Sequence, residues 1–149
     1  MRHVIDVQYA LDGFGLPGEE LLTRWAGAAL ESADTAVEVT IRVVDEDEGA
    51  QLNRQWRNGH GATNVLSFPV AADLDILPRL LGDIVICAPL LAREAGEQGK
   101  QLEAHWAHMV IHGVLHLLGY DHTQAQQADT MEALEIAILA GLEIDNPYN

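Results

Sequence analysis

The segment Val37-Glu38-Val39-Thr40-Ile41-Arg42-Val43 decides the fold class. Its apolar residues alternate with polar ones at a period of two, which marks a strand buried on one face. Toward the N-terminus, Glu19 to Ser32 reads as a helix, with acids in its first turn and Leu21, Leu22, Trp25, Ala29 and Leu30 at helical spacing. The breaker-rich loop Asp12 to Gly18 precedes it, and Val4 to Ala10 reads as another strand. Toward the C-terminus, Asp45 suits the N-cap of a helix from Glu46 to about Arg57 that carries Leu52 and Trp56 inward. Asn58-Gly59-His60-Gly61 breaks that helix, and Asn64 to Val70 and Gly82 to Ala88 read as strands. Pro89 fits the first turn of a helix running to about Gln98. Gln101 to Leu118 is a long helix, and a last one spans about Gln124 to Leu142. Strands and helices mix without strict alternation. The pattern predicts an α+β fold, a single mixed sheet of about four strands packed with about five helices, in one domain over residues 1–149.

A 149-residue chain with 48% hydrophobic residues can bury a core, and its composition excludes a disordered chain. No run of 18 apolar residues exists to span a membrane, and Asp6 and Asp12 interrupt any signal-like apolar stretch. Cys87 is the only cysteine, so no intrachain disulfide forms. Inside the run Ile84 to Ala88 it reads as a buried small hydrophobe. These features predict a cytoplasmic protein. The 23 acids against 8 bases, a net charge of −15, argue against general nucleic-acid binding. Arg42, Arg54 and Arg57 nevertheless cluster, and arginine is the better fork for phosphate. The acids at 45–48 offer the plainer alternative of surface ion pairs.

Chemistry concentrates in His112-Gly113-Val114-Leu115-His116-Leu117-Leu118-Gly119-Tyr120-Asp121-His122. His112 and His116, four apart on a helix, put two imidazoles on one face a turn apart. Gly119 ends the helix in the left-handed conformation, and the reversed chain can return His122 toward the same point. Three neutral imidazoles suit zinc and leave its fourth position open, as catalytic zinc requires. The spacing matches the ligand frame of metzincin proteases, but Gly113 stands where their general base, a glutamate, would be. A mid-helix glycine costs about 1 kcal/mol relative to alanine, so close approach of a strand or of substrate is expected at Gly113. His105 and His108 continue the histidine stripe as side chains satisfied in packing, or as partners of the ligands. Leu102, Trp106, Met109, Val110, Val114 and Leu117 form the opposite, core stripe. Asp121 is either an orienting partner of a histidine or a turn former.

The His112–His122 segment resembles the HGxLHLxGYDH signature of the YbeY family, bacterial endoribonucleases of rRNA maturation. Leu52-Asn53 through Arg57 and Thr63-Asn64-Val65-Leu66-Ser67-Phe68-Pro69 resemble a second family signature. Leu81-Gly82-Asp83-Ile84-Val85-Ile86 resembles a third, and Met131-Glu132-Ala133-Leu134-Glu135 the family's C-terminal helix. The resemblance spans roughly residues 40 to 145. It implies a single-strand-specific, zinc-dependent endoribonuclease acting at the 16S rRNA 3′ end and in ribosome quality control. It implies one zinc per chain on His112, His116 and His122, and it makes Arg57 a site residue, so that the catalytic set is Arg57, His112, His116 and His122. Arg42 and Arg54 become candidate RNA contacts. Family members carry Asp or Asn at the position of Asn64, so no catalytic carboxylate is drawn from it. The implied partners are rRNA and the ribosomal small subunit or its associated proteins, with no membrane and no DNA. Such a zinc site polarises a phosphoryl oxygen and activates water, while Arg57 would neutralise charge on the phosphorane. Two other readings stay open. One is another zinc hydrolase such as a peptidase, although Glu132 and Glu135 fit better as solvated positions of the last helix than as its base. The other is a zinc-stabilised ribosome-assembly factor without nuclease activity.

Overall fold

The computed structural model describes residues 2–13, 15–57, 59, 61, 63–70, 78–121 and 124–149. Asn58 and His60 of the expected helix breaker, and His122 of the expected metal triad, lie outside the described residues. The elements in chain order are β1 (Val4–Tyr9), α1 (Glu19–Leu30), β2 (Val37–Val44), α2 (Glu46–Arg57), β3 (Val65–Pro69), β4 (Arg79–Cys87), α3 (Ala88–Gln98), α4 (Leu102–Leu117) and α5 (Ala125–Gly141). The strands form one sheet in the order β1-β2-β4-β3. β1, β2 and β4 run parallel, and β3 pairs antiparallel with β4 at the edge. This is the mixed α+β architecture that the alternation in residues 37–43 predicts.

The alternation also sorts the two faces of the sheet. Val37, Val39, Ile41 and Val43 join Ile84, Ile86, Ile5 and Val7 in the main core, together with side chains of α1 and α4. On the other face Val44, Leu66, Val85 and Cys87 form a smaller cluster with Leu52, Phe68 and Leu90. Cys87 is buried there, and burial pushes its thiol up, as expected of an inert packing cysteine. Among the described residues no helix is long and apolar enough to cross a membrane.

Three expectations change. α4 was expected to bury one stripe, yet His105 and His108 are buried along with Trp106, Val110 and Val114. The sheet covers one side of α4, and α1, α3 and α5 pack around the rest. Trp56 was expected to point inward and is instead 63% exposed. α2 packs on β4 and α3 and leaves part of the second sheet face open, so only Gly49 of this helix is buried. β4 starts at Arg79 rather than Gly82, because Val37 and Glu38 pair with Arg79 and Leu80 before the register shifts to Val39 with Gly82.

Leu81 is the residue left over at that shift, a β-bulge. Gly82 follows it at φ +150°. A Cβ there would strike the Phe68 carbonyl oxygen and lie 2.9 Å from Leu117 Cδ2. Glycine thus lets β3 and the C-terminal end of α4 converge on β4. Gly82→Ala is expected to destabilise the protein by about 2 kcal/mol or more, from backbone strain plus overpacking, read as a lower urea midpoint. An unchanged midpoint would show that the convergence does not depend on the glycine.

Candidate functional site

The site is built on the last two turns of α4. His112 and His116 lie one turn apart, their rings edge to face with centroids 4.7 Å apart. Both side chains are partly exposed in an otherwise buried helix. The helix ends as predicted at Gly119, which takes φ +104°. The Gly119 amide donates to the His116 carbonyl and the Tyr120 amide to the Leu115 carbonyl, each at 3.0 Å. These paired bonds form a Schellman motif, with Tyr120 packed against the core. The chain therefore reverses immediately after His116. Asp121 follows that reversal.

His112 Nδ1 donates to Glu135 Oε2 at 2.6 Å. Glu135 is fully buried on α5, in line with Met131 and Leu139. This corrects its reading as a solvated position of the last helix. Its other oxygen, Oε1, accepts from His108 Nε2 at 3.1 Å and from the Tyr148 hydroxyl. Burial pushes the Glu135 carboxyl up, but the hydrogen bonds from His108, His112 and Tyr148 outweigh that and hold it at about 2. Burial and the Glu135 charge push the Tyr148 phenol up. His108 is thus joined to His112 through a shared carboxylate. His105 is buried too, with Nε2 bonded to Glu94 Oε1 at 2.9 Å, while its Nδ1 is buried without a hydrogen-bond partner among the described residues. The signal for Glu135 was present in the sequence: a glutamate in register with Met131 and Leu139 at spacing four falls on the buried stripe of its helix.

Gly113 faces the sheet. A Cβ on it would sit 3.0 Å from Ile84 Cγ2 and 3.3 Å from Cδ1, so helix–strand packing accounts for this glycine. Its carbonyl accepts from the Ser67 hydroxyl at 3.2 Å. Ser67 in turn receives Arg57. Asn64 and Val70 bond to β4, so the odd residues of β3 turn their carbonyls toward the free edge, and the Arg57 guanidinium donates to the Ser67 carbonyl oxygen. The same guanidinium stands 5.3 Å above the centre of the Phe68 ring. Arg57, at the end of α2, is therefore linked through Ser67 to the residue next to His112. Arg42 is not part of this set. Its fork is engaged by Glu48, at 2.6 and 3.2 Å, and by Gln8, the surface ion pair that the neighbouring acids suggested. Asn64 donates to Glu94 at 3.2 Å.

Two imidazoles on one face, one of them backed by a carboxylate, form a donor set fit for a cation. Among the described residues no group of three or more His, Cys, Asp or Glu completes such a site. The depressed Glu135 pKa has a stability consequence. The stabilisation is present above the ordinary value of 4.5 and is lost as pH falls toward 2. The stability gap between the parent and Glu135→Gln, open at neutral pH, is expected to close over that range in urea titrations. A gap independent of pH would show that the carboxylate charge contributes nothing.

The family described as Endoribonuclease YbeY matches residues 18–143. A protein of that name from Nitrosococcus oceani is 50% identical over 150 residues, covering 99% of this chain and 98% of its own. Another, from Stenotrophomonas maltophilia, is 52% identical over 153 residues, covering 99% and 94%. The solution structure of a Thermotoga maritima protein superposes with a TM-score of 0.62 at 26% identity, covering 94% of this chain and 92% of that one. The two signature blocks that meet in space here, Arg57 with β3 and the histidine helix, lie within the matched residues. The chain belongs to the YbeY endoribonuclease family.

Proposed function

We propose that this chain is a metal-dependent endoribonuclease of rRNA maturation that cuts single-stranded RNA, including the 16S rRNA 3′ end, with one zinc ion held by His112, His116 and His122. The observation that carries the reading is the 2.6 Å contact from His112 Nδ1 to buried Glu135. A ring whose Nδ1–H is held by a carboxylate is fixed in orientation and in the neutral tautomer that presents the Nε2 lone pair, the form in which imidazole binds a cation. A zinc ion bound there supplies Lewis acidity toward a phosphoryl oxygen and acidifies the water it binds.

The chain's own residues supply the rest. Arg57 is held by the Ser67 carbonyl and the Phe68 ring, so its remaining N–H groups are preorganised to neutralise charge developing on a phosphate. Position 113 offers no base, because it faces Ile84. Glu135 is no base either, since both of its oxygens accept hydrogen bonds from His108, His112 and Tyr148 in a buried place. This weighs against a peptidase, which needs a carboxylate free to activate water. Whether water or the 2′-hydroxyl of RNA attacks, its proton must pass to a group other than positions 113 and 135. The substrate partners are then rRNA and the small ribosomal subunit, met in the cytoplasm.

Metal analysis paired with cleavage of a single-stranded rRNA 3′-end fragment tests this. The parent is expected to carry about one zinc per chain, and His116→Ala to lose both metal and cleavage. Cleavage retained by a zinc-free variant would sink the metal assignment. Stoichiometric zinc in a parent that cuts no RNA would leave an assembly factor.

Arg57→Ala is expected to bind zinc normally and to lose roughly 100- to 1,000-fold in kcat. Cleavage at the parent's rate would remove Arg57 from the catalytic set. The product end tells the two nucleophiles apart: attack by the 2′-hydroxyl leaves a 2′,3′-cyclic phosphate or the 2′- or 3′-phosphate derived from it, and a 3′-hydroxyl end excludes it.

A further inference from the structure

The face of the sheet that α2 leaves open holds a groove of about 590 Å³ lined by Thr40, Trp56, Phe68, Asp83 and Val85 among others. Strand register orders its floor: Thr40 lies beside Asp83, and Asp83 beside Phe68. Its wall is Leu52 and Trp56, one turn apart on α2. Trp56 is the most exposed large apolar side chain among the described residues. It immediately precedes Arg57, whose guanidinium stands 5.3 Å from the centre of the Phe68 ring.

Resting on the nuclease reading above, we infer that this groove is a nucleobase subsite in which an unpaired base of the RNA stacks on Trp56. Three features of the groove select a base over a phosphate. The fork of Arg42, on its floor, is engaged by Glu48 and so offers a phosphate little. The exposed Asp83 carboxylate repels phosphate but accepts hydrogen bonds from an exocyclic amino group, as the Thr40 hydroxyl also can. The aromatic and aliphatic walls present a flat apolar surface, the usual platform for bases splayed from single strands. The groove also shares Phe68 with Arg57 of the proposed catalytic set, whose guanidinium stands by that ring. A base on Trp56 would set its flanking phosphate near Arg57, which binds the Ser67 carbonyl at the free edge of β3. Trp56 is then a positioning residue, and Asp83 favours bases that carry an amino group.

The test exploits the other tryptophans. Trp25 and Trp106 are 3% and 2% exposed, so only Trp56 can be reached by a base. Titration with a 2′-O-methyl RNA hexamer, followed by tryptophan fluorescence, is expected to quench the exposed component in the parent. No quenching is expected in Trp56→Ala. With cleavable RNA, Trp56→Ala is expected to raise KM roughly 5- to 150-fold with kcat little changed, and Trp56→Phe to restore most of the loss. A poly(A) or poly(C) strand is expected to bind more tightly than poly(U), which lacks the amino group. Hexamer binding without quenching of Trp56 would overturn the inference, as would equal KM for parent and Trp56→Ala, and the face would then belong to a protein partner. Quenching in a parent that cleaves no RNA would uphold the subsite while refuting the nuclease reading, so the two failures are distinguishable.

Discussion

The contact between the Gly113 backbone and Ile84 sets how closely α4 lies on the sheet, and much of the site follows from that distance. Because no side chain separates helix and strand, the Gly113 carbonyl comes within 3.2 Å of the Ser67 hydroxyl on β3. Gly82 does the same from the other side, letting β3 and Leu117 close on β4. Two glycines on different elements therefore bring together an arginine and a histidine pair that are far apart in sequence. The same geometry explains the departure from the metzincin pattern. The position after the first histidine points into the sheet, so a glutamate there would meet Ile84 and not the open side of the histidines.

A second constraint is the burial of polar groups in α4. Imidazoles in a core are costly unless bonded, and each of the two buried histidines of α4 gives its Nε2 to a carboxylate, His105 to Glu94 and His108 to Glu135, while its Nδ1 finds no partner among the described residues. Glu135 also takes His112 and Tyr148, so one carboxylate satisfies three donors. Such a network rigidifies what it joins, because removing one member leaves the others buried without a partner. Helix α5 and Tyr148 thereby hold the orientation of His112 through Glu135.

The fold class, the element order and the histidine spacing were legible because each rests on a local periodicity. Alternation in 37–43, the i, i+4 histidines and Gly119 at the helix end each need only near neighbours. What escaped depends on which faces meet. Glu135 was read as solvated because a charged residue on a terminal helix usually is, and its partners are 23 and 27 residues away. Trp56 was placed inward by its apolarity, yet α2 covers too little of the sheet to bury it. The start of β4 was missed because its first residues are ordered by pairing with β2, not by their own pattern.

The acidic balance of the chain bears on how RNA is held at all. A net charge of −15 with few bases cannot gain affinity by replacing many counterions along a phosphate backbone. Exposed charges are screened beyond about 8 Å at physiological salt, so the acidic body does little harm to a strand held at one short cleft. A site of this kind needs a source of affinity that costs no cations. Stacking of an unpaired base supplies one, and it is lost when the base is paired in a duplex. With a base on Trp56 as proposed, an acidic protein of this kind would be suited to unpaired RNA. It is poorly suited to scavenging free duplex.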